Sequence, residues 1–493
     1  MPIRKFARYV LFTAMLVAAT PALASYGIYV GRNLTTDGSV YLGGSGDEVS
    51  SHWLEIVPAA EHEPGATITV GVDSTAFLPG EFITIPQVSR TARYITMNYT
   101  EYEGFPPPLT NGGLNEHGVA ARDIWSDSRA ELVAMTSNPQ RGPNYSDLSR
   151  IVMERAQSAE HAARLVGELI DTHGYSTYGG NSHMFADHEE GWVLLDFAGG
   201  QGLWVARRLG PDEVVMFYPG YIGDIPRDFQ DHPDYMGSAN FIDFAVEQGW
   251  YDPDSGDAFN VTRVYGTPSV RYPREEMEQE LRDAAPIDLR AMLDAVRDLR
   301  ISKDTTGYGQ VAQLKEETNS ELRTLWVAPT GSITAPFIPY RIGVQDVLPE
   351  YGKHRYLTKD EARGFLTEDW QIQEATQFAG RLFKRLMYFT CDRPDKFLPE
   401  VTEALTAFEN SMIGEQPAVD EVARTLYDAG KPALARQSLT HYVNTKANEA
   451  LRLGEALLGS IEARTRVLYG LRKPEGDTMS ELDYQMVSCR PGE

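Results

Sequence analysis

Cysteine is nearly absent: Cys391 and Cys489 are the only two in a chain of 493 residues. Two thiols cannot build a disulfide framework or a thiolate zinc site. They leave room for one bridge, which the sequence alone does not fix. Basic residues are scarce beside acidic ones, 45 Lys and Arg against 70 Asp and Glu, for a formal net charge of −25. Such a surface repels phosphate backbones and anionic bilayers, so no nucleic-acid partner is expected. The G-x-S-x-G elbow, G-x-G-x-x-G, the Walker A loop and H-E-x-x-H are all missing, and nothing predicts the chemistry they carry. No cofactor is expected. Ten histidines are scattered along the chain. His183 and His188 flank a strand end and are expected to be surface or hydrogen-bonded groups, not metal ligands. Asp252, Asp254 and Asp257 are spaced like a loose calcium loop, but Pro253 stiffens it, and a solvated turn is the reading.

What is present is a globular composition, 42% hydrophobic and 23% charged. The first 24 residues form a targeting pattern. Arg4, Lys5 and Arg8 precede an uncharged apolar run from Tyr9 to Ala19, Thr20-Pro21 breaks it, and Ala22-Leu23-Ala24 is an A-x-A cleavage site. The run is about half of the ~20 residues needed to span a bilayer. The expectation is a signal peptide over 1–24, a periplasmic or secreted product with no membrane contact after cleavage, and a mature chain beginning at Ser25.

Beyond it, Tyr26 to Val30 reads as a strand. Thr36-Asp37-Gly38 marks a turn, and a second strand begins at Val40. Arg93–Tyr99 and Val119–Trp125 read as strands, joined by a loop through Pro106-Pro107-Pro108 and Asn111-Gly112-Gly113. Two helices follow, the second with Ala162, Leu165, Val166, Leu169 and Ile170 on one face. Three strands come next: His183–Asp187, Trp192–Phe197 and Gly202–Arg207. Residues 210–285 read as long loops with short helices over a cleft. A helix runs through Leu289, Met292, Leu293 and Val296. Strand character returns at Leu322–Ala328 and Ile333–Val344, and the chain becomes helical from about Thr358. The order predicts an α+β fold with two sheets flanked by helices.

Ser25 is the informative position. A serine at a chain terminus carries its α-amine beside its hydroxyl, and an α-amine has an unperturbed pKa of about 7.7–8.0. It can take the hydroxyl proton, so one residue supplies nucleophile and base. A serine also simply suits signal peptidase at the first mature position.

From Ser25 onward the chain resembles the dipeptidase and secernin family of N-terminal nucleophile hydrolases, usually filed under cysteine peptidases. Ser25-Tyr26-Gly27-Ile28-Tyr29-Val30-Gly31-Arg32 stands where that family has its catalytic cysteine, a short strand and Val-Gly-Lys. Asp37-Gly38-Ser39 matches its Asp-Gly-Ser turn. Gly113-Leu114-Asn115-Glu116 resembles its Gly-Ile-Asn-Glu segment, and 183–208 its Trp-rich meander. Leu325-Trp326-Val327-Ala328 and Pro336-Phe337-Ile338-Pro339-Tyr340 resemble two late motifs. The resemblance covers roughly 25–350.

It implies a four-layer αββα core over 25–350, a helical C-terminal extension over 351–493, and cleavage of dipeptides or small N-acyl amides. It also implies site roles: Ser25 as nucleophile, Asp47 to hold the α-amine or a substrate amine, and Asn181 as oxyanion donor; the residues alone equally allow Asp47 as a solvated loop acid and Asn181 as a turn residue after Gly179-Gly180. Asn115 and Glu116 read as structural. Two departures stand out. The nucleophile is serine instead of cysteine, and Gly44 occupies the position of an arginine three residues before Asp47. A guanidinium favours a thiolate, and a serine hydroxyl needs it less, which would link the two departures. Gly44 can equally serve a backbone conformation that only glycine tolerates. The rival function is a decayed periplasmic binding protein using the same cleft. Oligomeric state is not legible.

Overall fold

The computed structural model describes residues 25–47, 52–100, 104–267, 274–354, 376–470 and 489–490. The targeting segment and the expected helix start near Thr358 lie outside them. In chain order, the strands of the two large sheets are β1 (Tyr26–Val30), β2 (Val40–Gly46), β3 (His52–Val57), β4 (Tyr94–Tyr99), β5 (Leu109–Asn115), β6 (Ala120–Trp125), β7 (Gly180–Ala186), β8 (Gly191–Phe197), β9 (Trp204–Leu209), β10 (Val214–Phe217), β11 (Tyr235–Gly237), β12 (Tyr308–Leu314), β13 (Thr324–Ala328) and β14 (Ile338–Arg341). The helices packed on them are α1 (Tyr145–Arg155), α2 (Ala159–His173), α3 (Arg274–Asp283), α4 (Leu289–Arg297), α5 (Ala379–Cys391), α6 (Pro394–Asp428) and α7 (Pro432–Tyr469).

The first sheet has the order β10-β1-β2-β12-β13-β14, and the second β11-β9-β8-β7-β6-β5-β4-β3. Neighbouring strands in both are antiparallel. The sheets face each other through β1, β2 and β6, α1 and α2 cover the outer face of the second, and α3, α4 and the C-terminal helices pack on the first. This is the αββα layering of an α+β fold. Alternation along each strand supplies both faces. On β7, Met184 and Ala186 join the core shared with the first sheet, while Phe185 packs under α1 and α2. The core between the sheets is continuous with the one that seats Leu386, Val443 and Ile461 of the C-terminal helices.

Local chemistry sets the helix ends. Asn144 accepts from the backbone N–H groups of Ser146 and Asp147, and Asp147 returns a bond to close a capping box. Ser158 caps α2, which stops at Gly174 with φ at 83°.

The structure departs from the sequence reading in three places. The stretch around Asn111-Gly112-Gly113 is not a loop but strand β5. Its glycines serve close approach: a Cβ on Gly113, at φ +155°, would lie 1.9 Å from the Ile95 carbonyl oxygen. The described part of 210–285 holds the expected short helices, at Phe241–Glu247 and Val261–Tyr265 among others, but is more ordered than a set of loops. It supplies β10, β11 and α3, and an aromatic cluster in which Phe241 packs on Phe229, Phe259 and Tyr265. The interior strand β12 is not announced by its sequence, because Tyr-Gly-Gln-Val-Ala-Gln-Leu lacks a clean alternation.

Two glycine substitutions should act in opposite directions. Gly113→Ala forces a side chain into backbone at positive φ and should cost about 1–3 kcal/mol or more. Gly459→Ala, in α7 with nothing within 4 Å of an added Cβ, should gain roughly 0.5–1 kcal/mol from helix propensity. Urea unfolding measures both, and equal effects would contradict the close-approach role of β5.

Candidate functional site

Strand β1 is interior, paired on one edge with β10 and on the other with β2. Ser25 immediately precedes it and is 7% exposed. A Cβ on Gly27 would meet Met184 Sδ and Ile124 Cδ1, so the odd-numbered residues of β1 look into the space between the sheets. Tyr26 points the other way, and its hydroxyl donates to the Val296 carbonyl in α4. Burial pushes its phenol far above the ordinary value, and the charge of Asp47 adds to the rise.

The structure brings Asp47 to Ser25. The Asp47 backbone N–H donates to Ser25 Oγ at 3.3 Å, and its carboxylate, on a residue 2% exposed, accepts from Thr306 Oγ1 at 2.7 Å. Gly307 N–H donates to the Gly46 carbonyl at 2.7 Å, which fastens the 303–307 segment to the end of β2. Beside the site, Tyr218 stacks on Tyr26 at 6.3 Å, and Lys303 Nζ donates to the Tyr218 hydroxyl at 3.3 Å. The His52 ring lies 5.0 Å from those of Tyr99 and Tyr308.

Asn181 is not brought to Ser25. Its side chain projects from the opposite face of β7, toward the helices. There its Nδ2 donates to Asp123 at 2.8 Å and its Oδ1 accepts from the Tyr175 hydroxyl at 2.7 Å. The residue facing inward at that level is Ser182, whose hydroxyl is shared with Ser126 and with the Gly220 carbonyl. The oxyanion role therefore does not fall to the Asn181 side chain. Asn181 belongs instead to a buried polar network: its backbone N–H donates to Asp196 Oδ1 at 2.8 Å, and His183 Nε2 lies 3.0 Å from Asp196 Oδ2. Asn115 is structural, as read: it ties the Met153 and Ala156 carbonyls to the turn at Val119.

Gly44 is a glycine because nothing else fits. Its φ is +154°, and a Cβ would lie 2.0 Å from the Tyr26 carbonyl oxygen. No arginine can stand there, so the proposed link between Ser25 and a missing arginine gives way to the backbone explanation. A guanidinium does reach this region from the facing sheet. Arg122 of β6 is fully buried. It donates to the Ser45 carbonyl and to the Tyr308 hydroxyl, and lies 5.1 Å over the Tyr308 ring. Its Nε has no hydrogen-bond partner among the described residues. Sequence reading missed Arg122 and Thr306, which no local motif announces.

A family model described as peptidase family C69 matches residues 24–273, just over half of the chain. The chain belongs to that family. Among curated relatives, a probable dipeptidase of Salmonella dublin is 26% identical over 280 residues, which are 54% of this chain and 60% of that relative. The match thus spans less than two thirds of the relative's length. Among solved structures, two variants of the conjugated bile acid hydrolase of Clostridium perfringens are similar at 11% and 10% identity. The first covers 65% of this chain and 93% of the solved one with a TM-score of 0.30. The second covers 62% and 88% with a TM-score of 0.28.

The buried network gives a stability test with a definite sign. Burial opposes a proton on His183, but the hydrogen bond and charge of Asp196, with Asp123, outweigh it and hold the imidazole above its ordinary value. A raised folded-state pKa contributes stability that is full below the unfolded value of about 6.5 and is lost as pH rises through the folded value. The melting-temperature gap between wild type and His183→Gln should therefore be wide at about pH 5.5 and narrow toward about pH 8.5. A gap that is constant or widens with pH would contradict the assignment.

Proposed function

We propose that this protein is an exported amide-bond hydrolase, of dipeptidase type, whose nucleophile is Ser25 as the first residue of the mature chain. The observation that carries the reading is the placement of Ser25. It stands at the head of an interior strand, between two packed sheets, with Asp47 against its hydroxyl. Family membership and the similarity to a probable dipeptidase of Salmonella dublin support peptide or small amide substrates.

The chemistry needs only the chain's own groups. The neutral α-amine of Ser25 takes the Oγ proton as Oγ attacks the amide carbon. The tetrahedral oxyanion collapses, the C–N bond breaks, and the leaving amine departs with that proton. Water, deprotonated by the same α-amine, then hydrolyses the ester and regenerates the hydroxyl. The Asp47 carboxylate sits where it can orient a protonated amine, of the chain terminus or of a substrate. Arg122, fixed on the Ser45 carbonyl, supplies positive potential from the facing sheet, acting in a low-dielectric interior where fixed charges count for more than in water. Export is supported by the targeting pattern and by the Cys391–Cys489 disulfide, which has a Cα–Cα distance of 4.5 Å. Such bonds persist in oxidising compartments.

An uncleaved precursor has an acylated Ser25 nitrogen, which cannot act as a base, and should be inactive. N-terminal sequencing of active protein recovered after export should read Ser25-Tyr26-Gly27. Ser25→Ala should fold but lose turnover on a dipeptide panel by more than about 10³-fold, several kcal/mol of transition-state stabilisation. Retention of activity within about tenfold, ~1.4 kcal/mol, would assign catalysis to another group.

A further inference from the structure

The family match ends at residue 273, yet the side chain that holds Asp47 comes from residue 306, and the group that holds residue 306 comes from the helical C-terminal region. Lys384, on α5, donates from Nζ to the Thr306 carbonyl at 3.2 Å and to the Asp304 carbonyl. Thr306 in turn donates its hydroxyl to Asp47 and accepts from the Lys303 N–H at 3.0 Å. Lys303 and Thr306 anchor the segment through their side chains, but other polar side-chain atoms beside them do not. Ser302 Oγ, Asp304 Oδ1 and Thr305 Oγ1 are buried without a hydrogen-bond partner among the described residues. Buried polar atoms left in this way disfavour the conformation unless something else imposes it.

The same helix is fastened to this region a second time. Cys391, at its end, is bonded to Cys489, and the adjoining Arg490 donates to the carbonyls of Leu299 at 3.4 Å and Arg300 at 3.2 Å, just ahead of the segment. A lysine ammonium has three donors and no acceptor, so it can clamp two carbonyls that point the same way.

We propose that Lys384 is a positioning residue for the active site: it sets the 304–306 backbone, which sets the Thr306 hydroxyl, which sets Asp47 against Ser25. The helical C-terminal region is then a working part of the site and not an appendage. The consequence for turnover rests on the function proposed above, but the structural link does not. Burial lowers the Lys384 pKa to about 8, against the opposing pull of Asp304 and Asp47, which leaves the ammonium largely charged at neutral pH.

The test uses the full exported chain and two readouts, hydrogen–deuterium exchange and steady-state kinetics. Lys384→Met should speed exchange of peptides covering 302–308 and 40–47 and leave those of β7 and β8 unchanged. On a hydrolysed dipeptide it should lower kcat by about tenfold or more with KM within about threefold, the pattern of a group that acts on the reacting centre and not on substrate binding. Lys384→Arg, which keeps donors and charge, should restore both readouts. Thr306→Val should reproduce the kcat loss with Lys384 in place, and the double variant should lose much less than the product of the two single losses. The exchange arm holds even if no tested dipeptide is cleaved, so failure of the functional reading would not be mistaken for failure of the clamp. Unchanged exchange at 302–308 in Lys384→Met would overturn the proposal, as would multiplicative losses in the double variant. If Lys384→Met fails to fold, Thr306→Val decides: unchanged kcat and unchanged exchange at 40–47 would also overturn it.

Discussion

The pairing of β1 along both edges is the constraint on which the rest of the site depends. Gly27 to Val30 are in register with Val214 to Phe217 on one side, and Tyr26 to Val30 with Tyr41 to Ser45 on the other. A strand bonded on both edges cannot fray without breaking two ladders at once, so the residue at its head inherits a fixed backbone. Gly27 pairs with Gly44 two residues beyond that head. The missing side chain on Gly27 lets Met184 of the facing sheet come close, and the missing one on Gly44 leaves room for the Tyr26 carbonyl. Atoms are thus left out of two strands at the point where their backbones, and the facing sheet, come closest to Ser25.

Charge is then arranged around a buried acid. Asp47 accepts from Thr306, Lys384 stands one peptide group behind Thr306, and Arg122 approaches the neighbouring Ser45 carbonyl from the other sheet. A lone buried carboxylate would be costly. Arg122, fully buried, and Lys384, partly buried, stand in the same region and offset part of that cost, Arg122 held by the Ser45 carbonyl and the Tyr308 hydroxyl and Lys384 by two backbone carbonyls. This contrasts with the Arg290–Glu409–Arg297 cluster at the α4–α6 contact, where Glu409 is locked directly between guanidinium groups and also accepts from the Phe337 N–H. There the ionic contacts tie the C-terminal helices to the first sheet.

The sequence made the local parts of this arrangement legible. Strand β1, the turn at Asp37, the helix pair and the β7–β8–β9 meander all follow from periodicity and turn residues. The targeting pattern singles out Ser25 and the family resemblance Asp47, and the β1–β2 hairpin brings the two together. What escaped was non-local or atypical. Gly112-Gly113 carries the composition of a turn but serves a strand squeezed between backbones. Strand β12 hides behind two glutamines, one of which, Gln310, reaches the Ala121 carbonyl across the sandwich. Asn181 failed by a single residue of alternation: a strand turns successive side chains to opposite faces, and its neighbour Ser182 is the one that looks inward. Arg122, Thr306 and Lys384 meet the site from three separate regions of the chain, which no motif spacing encodes.

The central claim, that Ser25 Oγ forms the acyl intermediate, is tested most directly by trapping it. Exported protein would be treated with a serine-reactive fluorophosphonate or β-lactone, digested and mapped by mass spectrometry. The account predicts one stoichiometric adduct on the peptide beginning Ser25-Tyr26-Gly27, on the side-chain oxygen with the α-amine left free, and none when that amine is first acetylated. A stoichiometric adduct on any other residue, or labelling of Ser25 that is indifferent to acetylation of its amine, would contradict it.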